Sequence, residues 1–239
     1  MKYERMLPHE IDRVISRRPI AIIPWGALEW HGHHLAVGQD GLKASAIADR
    51  VADLLQVVSL PPIYCGYQTM KPHRGFRHCI EISQSTVAGL VRDFVGQLAD
   101  EGFKLIVIIT GHYGPRHVET LKFNAVQVGK EVGIKVWVLP EYEPVTDLDY
   151  HGDHAAKWET SIFLHLFPEL VHMHRYNSDL SMADQGVSGE DPSATASREV
   201  GETIVSTIVE RVANRSLELL SEAEEEQLAY KPWRAEGIR

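Results

Sequence analysis

The chain is expected to fold as an α/β protein with three layers, α/β/α, and a mostly parallel central sheet. Two observations carry this expectation. Short apolar runs rich in Ile and Val alternate with longer segments of helical period. The runs are apolar throughout instead of alternating with polar residues, as strands covered on both faces are. Such alternation places helices on both sides of a parallel sheet.

In chain order, the first strand is read at Pro19 to Trp25 and the first long helix at roughly Leu42 to Leu55, with Ile47, Val51 and Leu54 on its buried face. Val57 to Ile63 is the second strand. A helix then starts at the cap candidate Ser85 or Thr86, turns Val87, Leu90, Val91, Phe94 and Leu98 inward, and stops at Gly102. Lys104 to Thr110 and Lys135 to Leu139 are the third and fourth strands. The helix between them follows Pro115 and buries Val118, Leu121, Ala125 and Val128. Val200, Ile204, Ile208 and Val212 mark a C-terminal helix, and Glu222 to Glu226 its solvated face. No repeat, low-complexity tract or clear linker interrupts residues 1–239, so one domain is expected.

Composition excludes several function classes. A net charge of −9 argues against nucleic-acid binding, which needs a basic footprint. The longest apolar stretches, such as Leu105 to Ile109, are too short to span a bilayer, and the N-terminus MKYERMLPHEIDR carries charges where a signal peptide needs apolar residues. Cys65 and Cys79 give no disulfide framework. A cytoplasmic protein acting on a small molecule, with neither nucleic-acid nor membrane partner, is expected.

The chemistry concentrates where strands end. AIIPWGALEWHGHHLAVGQD carries Glu29, His31, His34 and Asp40 just past the first strand. Carboxylate and imidazole together suit borderline divalent metals such as zinc, manganese and iron. GHYGP, with His112 and Tyr113, follows the third strand; EYEP, from Glu141, follows the fourth, and HGDHAAKWETS, with His154, Trp158 and Glu159, comes soon after. In parallel α/β sheets ligands bind beyond the carboxyl ends of the strands. Glu29, His31, Asp40, His112, His154 and Glu159 are therefore expected to converge on one edge.

With those motifs in view, the chain resembles the creatininase (creatinine amidohydrolase) family, whose first motif reads roughly P-x-G-S-x-E-x-H-G-x-H-L-P-x-x-x-D. PWGALEWHGHHLAVGQD matches at Pro24, Gly26, Glu29, His31, Gly32, His34, Leu35 and Asp40. TGHYGP keeps Gly111, His112 and Tyr113 of the second motif, and His154, Ala155, Glu159, Thr160 and Ser161 match the third. GVSGEDPSATASREVGE is similar to the family's G-x-x-G-D-P-x-x-A-T segment. The resemblance implies a creatininase-like fold and a hydrolase holding two divalent ions (zinc, manganese or iron) per subunit. Glu29 and His31 would bind different ions, Asp40 would bridge them about 3.5 to 4 Å apart, and His112 would be a further ligand. His154 would be the catalytic histidine that carries the proton to the leaving nitrogen.

The chain departs from the family at Gly114, where creatininase has a metal-binding Glu, and at Pro115, His33 and Ala36. The missing Glu speaks against creatinine as substrate. With Gly114 unable to coordinate, Glu159 is the replacement carboxylate expected, as ligand and member of the catalytic set; the alternative is that it only orients a ligand. His34, Tyr113, Trp158 and His73 are candidate substrate contacts. His33 reads as a partly exposed loop histidine, with pocket lining or an extra ligand as the alternatives, and His172 and His174 as structural or surface residues. The substrate expected is a small cyclic amide, formamide or related carbonyl compound. The alternatives are hydrolytic opening of a cyclic ketone such as a keto-inositol, or a non-catalytic metal-binding descendant. The resemblance implies a homohexamer, with the irregular stretch from Arg175 to Ser197 ordered by a neighbouring subunit; the alternative is a mobile lid on a monomer.

Overall fold

The computed structural model describes residues 1–226 and 230–233. Helix α1 (Pro8–Arg17) leads into strand β1 (Ile20–Gly26), helix α2 (Gln39–Leu55) and two very short strands, β2 (Val58–Ser59) and β3 (Ile63–Tyr64). Then come α3 (Met70–Arg74), α4 (Gln84–Asp100), β4 (Leu105–Thr110), α5 (Pro115–Val132) and β5 (Lys135–Pro140). Helices α6 (Lys157–Leu166), α7 (Pro192–Thr195) and α8 (Arg198–Glu225) complete the order.

All the strand pairings are parallel, in the order β2-β1-β4-β5, with β3 also pairing to β1. Alternate residues of the sheet face opposite layers. Ile20, Ile22, Leu105, Val107 and Leu139 pack against α2, α6 and α8 through Ile47, Val51, Ile162, Ile204 and Ile208. Ala21, Ile23, Trp25, Ile106 and Ile108 pack against α1, α4 and α5 through Val14, Val91, Leu121 and Val128. This is the expected three-layer arrangement. Each such buried aliphatic side chain contributes roughly 1.5–3 kcal/mol.

Several local expectations are corrected. The second strand breaks into β2 and β3 because Pro61 and Pro62 lie between them and supply no N–H to a ladder. Helix α4 is capped by Ser83, whose hydroxyl accepts from the Thr86 N–H, instead of by Ser85 or Thr86. Leu54 is exposed and Leu55 buried, because the stripe of α2 runs through Ile47, Val51 and Leu55 at four-residue steps. On α5, His117 is buried where Val118 is only half-buried.

Register levels the strand exits. Trp25 pairs with Thr110, and Thr110 with Pro140, so the chain leaves β1, β4 and β5 along one line. Helix α2 is laid directly over that line. A Cβ on Gly26 would come within 2.3 Å of the Gly41 backbone nitrogen, and one on Gly111 within 2.3 Å of the Asp40 carbonyl oxygen. These two glycines let the backbones touch, which drives the first turn of α2 into the strand exits.

Candidate metal centre

Four elements deliver the candidate ligand set. Glu29 and His31 come from the loop after β1, Asp40 from the first turn of α2, His112 from the exit of β4, and Glu159 from the first turn of α6. All five are buried. Two fully buried triads have ligand atoms within 4.8 Å of one another: Glu29, Asp40 and His112, and His31, Asp40 and Glu159. Asp40 belongs to both. A third group within the same reach, Glu29, His31 and His154, runs across the two. Asp40 Oδ1 lies 2.9 Å from His31 Nε2 and its Oδ2 3.4 Å from His112 Nδ1. Glu29 Oε2 lies 2.9 Å from His112 Nδ1, and Glu159 Oε2 3.5 Å from His31 Nε2.

The donor atoms fit divalent ions. His31 Nδ1 bonds the Glu29 carbonyl oxygen at 3.2 Å, and His112 Nε2 bonds the Tyr67 carbonyl oxygen at 2.9 Å. A carbonyl only accepts, so each imidazole donates outward and turns its other nitrogen on the carboxylates, as metal-binding histidines do. His31 Nε2 and Asp40 Oδ2 are buried and face Asp40 Oδ1 and His112 Nδ1 at 2.9 and 3.4 Å, yet neither completes an aligned hydrogen bond. Two orphaned polar atoms inside one acidic cluster are what a cation would satisfy.

Electrostatics point the same way. Burial pushes the Asp40 carboxyl up, but His31 and His112 outweigh it and hold it well below the usual range. Burial opposes charge on His31, and Asp40 and Glu159 overcome it, raising its pKa to about 9. His112 is raised well above its ordinary value, against burial, by Glu29 and Asp40. The cluster therefore attracts positive charge strongly, and divalent ions binding there would displace these protons.

A cavity of about 200 Å3 opens on the cluster, lined by Glu29, Met70, His73, His112, Tyr113 and His154 among others. His154 has its ring centroid 4.2 Å from that of His31, and its Nε2 bonds the Trp30 carbonyl oxygen at 2.8 Å. Burial, with His31 adding to it, lowers its pKa and favours the neutral ring. Glu29 also accepts the Met70 N–H at 2.5 Å, tying the ligand cluster to the loop that carries His73.

Two candidate substrate contacts lie away from this cavity. His34 is fully buried, with Nε2 3.1 Å from Thr160 Oγ1 and its ring edge-on to Tyr176. Trp158 stacks on Tyr150 at 5.2 Å and packs in the layer with α8. Adjacency in sequence does not carry either ring over the site, because helical and loop geometry turn them into neighbouring layers. Tyr113 gives the cavity its ring, while its hydroxyl bonds Lys43, Glu141 and Tyr150. His33 is exposed, edge-on to Trp30. The stretch from Arg175 to Ser197 is tied to its own chain. Ser188 and His154 exchange backbone hydrogen bonds of 2.9 and 2.8 Å, and Trp30 Nε1 donates to the Gln185 carbonyl oxygen at 2.7 Å.

Sequence reading missed Lys43 and Asp153. Asp153 lines the cavity and accepts the Trp158 and Glu159 N–H groups, capping the start of α6. Burial, then repulsion from Glu159, raises its pKa to about 7. Lys43 carried a visible signal: it stands three residues after Asp40 on the apolar stripe of α2, where a lysine is out of place. A larger groove of about 350 Å3, floored by Phe103 and Ile134, lies at the opposite end of the sheet, remote from the titratable cluster.

Comparison with known proteins places the chain among similar sequences and folds. The family model for creatinine amidohydrolase matches residues 4–215. The creatinine amidohydrolase of Pseudomonas putida is 27% identical over 234 residues, covering 84% of this chain and 90% of the relative. The mycofactocin precursor peptide peptidase of Mycolicibacterium smegmatis is 27% identical over 223 residues, covering 84% and 85%. A solved structure of creatininase with Mn superposes with a TM-score of 0.78 at 26% identity, over 91% of this chain and 97% of that one.

Proposed function

The chain belongs to the creatininase family, and from that premise we propose that it is a two-ion, metal-dependent hydrolase acting on the carbonyl of a small cyclic amide, formamide or related compound. The observation that carries the reading is the pair of ligand triads sharing Asp40 within 4.8 Å. A carboxylate that serves two triads is the arrangement by which hydrolases hold two cations side by side. When bound, such ions supply Lewis acidity and a water that ionises near neutral pH.

Glu29 and His112 with Asp40 would hold one ion, and His31 and Glu159 with Asp40 the other. Gly114 offers no side chain, and the Tyr67 and Gln68 carbonyl oxygens close in around it, 3.1 and 3.0 Å from where a Cβ would stand. Glu159 supplies the carboxylate instead. His154 stands on the cavity wall with Nε2 engaged by Trp30, which leaves Nδ1 to take a proton and return it to the leaving nitrogen. Burial keeps that ring able to accept a proton at neutral pH. His73, Met70 and the Tyr113 ring bound a space of about 200 Å3, which suits a compact substrate.

The test is a screen of purified, metal-loaded protein against lactams, formamides and inosose-type ketones. Turnover of a lactam or formamide, abolished by chelation and restored by zinc or manganese, supports the reading. Turnover of the ketones alone would replace amide hydrolysis with carbon–carbon hydrolysis. No turnover together with no bound metal would point to a non-catalytic descendant.

A further inference from the structure

Beside the ligand cluster the chain buries an ammonium group that neither the motifs nor the proposed chemistry uses. Lys43 follows Asp40 by one helical turn on α2, so the two side chains rise on the same face. It has no exposed surface. Its Nζ donates to Glu159 Oε1 at 2.7 Å and to the Tyr113 hydroxyl at 2.6 Å, and lies 2.8 Å from Glu141 Oε1. The hydroxyls of Tyr113 and Tyr150 donate to the same Glu141 oxygen.

Core packing does not require this arrangement. A methionine or leucine would fill the space without desolvating a charge, and buried ion pairs often stabilise no better than apolar residues of like volume. The charges balance, however: Lys43 and Glu141 cancel and leave the cluster's own carboxylates unchanged in sum. Glu159 is engaged unevenly. Lys43 takes Oε1, while Oε2 accepts the Ala155 N–H at 2.7 Å and faces His31.

We propose that Lys43 is a positioning residue for the second ion: by holding Oε1 of Glu159 it presents Oε2, beside His31 and Asp40, as the donor, and Glu141 cancels its charge. This rests on the two-ion reading above, and titration of metal-stripped wild-type protein with Mn2+ separates the two claims. Two sites are expected in the wild type; a single site there would overturn the two-ion reading itself.

The variant that carries the test is Lys43→Met/Glu141→Leu, in which the neutral pair leaves together. Relative to wild type, one Mn2+ site should weaken about 10- to 100-fold and the other by less than roughly threefold. Tyr150→Phe, which removes a donor to Glu141 without touching Glu159, should keep both sites. Melting of the metal-stripped variants reports folding separately. Wild-type affinity at both sites in the folded double variant overturns the proposal. So does equal loss at both sites, or the same loss in Tyr150→Phe, since a merely structural role would not single out one ion. Should the double variant fail to fold, Lys43→Gln keeps an N–H donor without the charge. Selective weakening of one site in Lys43→Gln then supports the proposal, and unchanged or equally weakened sites overturn it.

Discussion

Asp40 is the residue on which the proposed centre turns, because it alone belongs to both fully buried triads. Asp40→Ala is expected to lose both ions together by elemental analysis, whereas a loss of one would make the two positions independent. His154→Ala should keep both ions and lose roughly 10²-fold or more in turnover; metal loss in that variant would make it a ligand instead. His34 belongs to the fold. Burial lowers its pKa to about 4 from 6.5. Its contribution is therefore full above about pH 6.5 and declines as pH falls towards 4, where the unfolded chain binds a proton the folded one refuses. The stability gap between wild type and His34→Gln in urea should narrow by roughly 2–3 kcal/mol across that window. An unchanging gap would show that His34 is not held neutral. The candidate cluster was legible in the sequence because carboxylate and imidazole followed strand ends. Lys43 was overlooked because a lysine on a helix is ordinarily solvated. Trp158 and His34 lie outside the cavity lining, and sequence alone does not show this because their direction depends on which layer the following helix joins.

Among the elements, the junction of β1, β4 and α2 decides whether the ligands meet. Gly26 and Gly111 admit the backbone of Asp40 and Gly41 at distances no Cβ tolerates. Gly111→Ala should therefore destabilise the protein and lower metal occupancy at the same time, measured by melting and elemental analysis on one preparation. Normal occupancy in a folded Gly111→Ala protein would show that the helix can shift without moving Asp40. Most of this architecture was readable from Ile- and Val-rich runs and helical period, since core burial leaves that pattern directly. Element ends were less readable. The break at Pro61 and Pro62 and the cap at Ser83 depend on single backbone hydrogen bonds, which period alone does not encode. Leu54 and Leu55 both suit helical period from Ile47, at one seven-residue step and at two steps of four, and packing alone separates them.

At the scale of the whole molecule, the sheet levels three strand exits, and every ligand-bearing segment starts from that line. No described helix is long and apolar enough to cross a membrane. We propose the homohexamer that the family resemblance implies. Phe123 and Val126, exposed on one face of α5 at 62% and 41%, offer apolar surface for subunit contact. Light scattering should return a multiple of the chain mass, and a monomer mass would reject assembly. The proposed pair of ions sharing Asp40 sets a stoichiometry that metal counting checks. Elemental analysis of protein expressed with ample zinc or manganese, then freed of loose metal, should give about two ions per chain. A value below about one per chain, in folded protein, would contradict the two-ion centre.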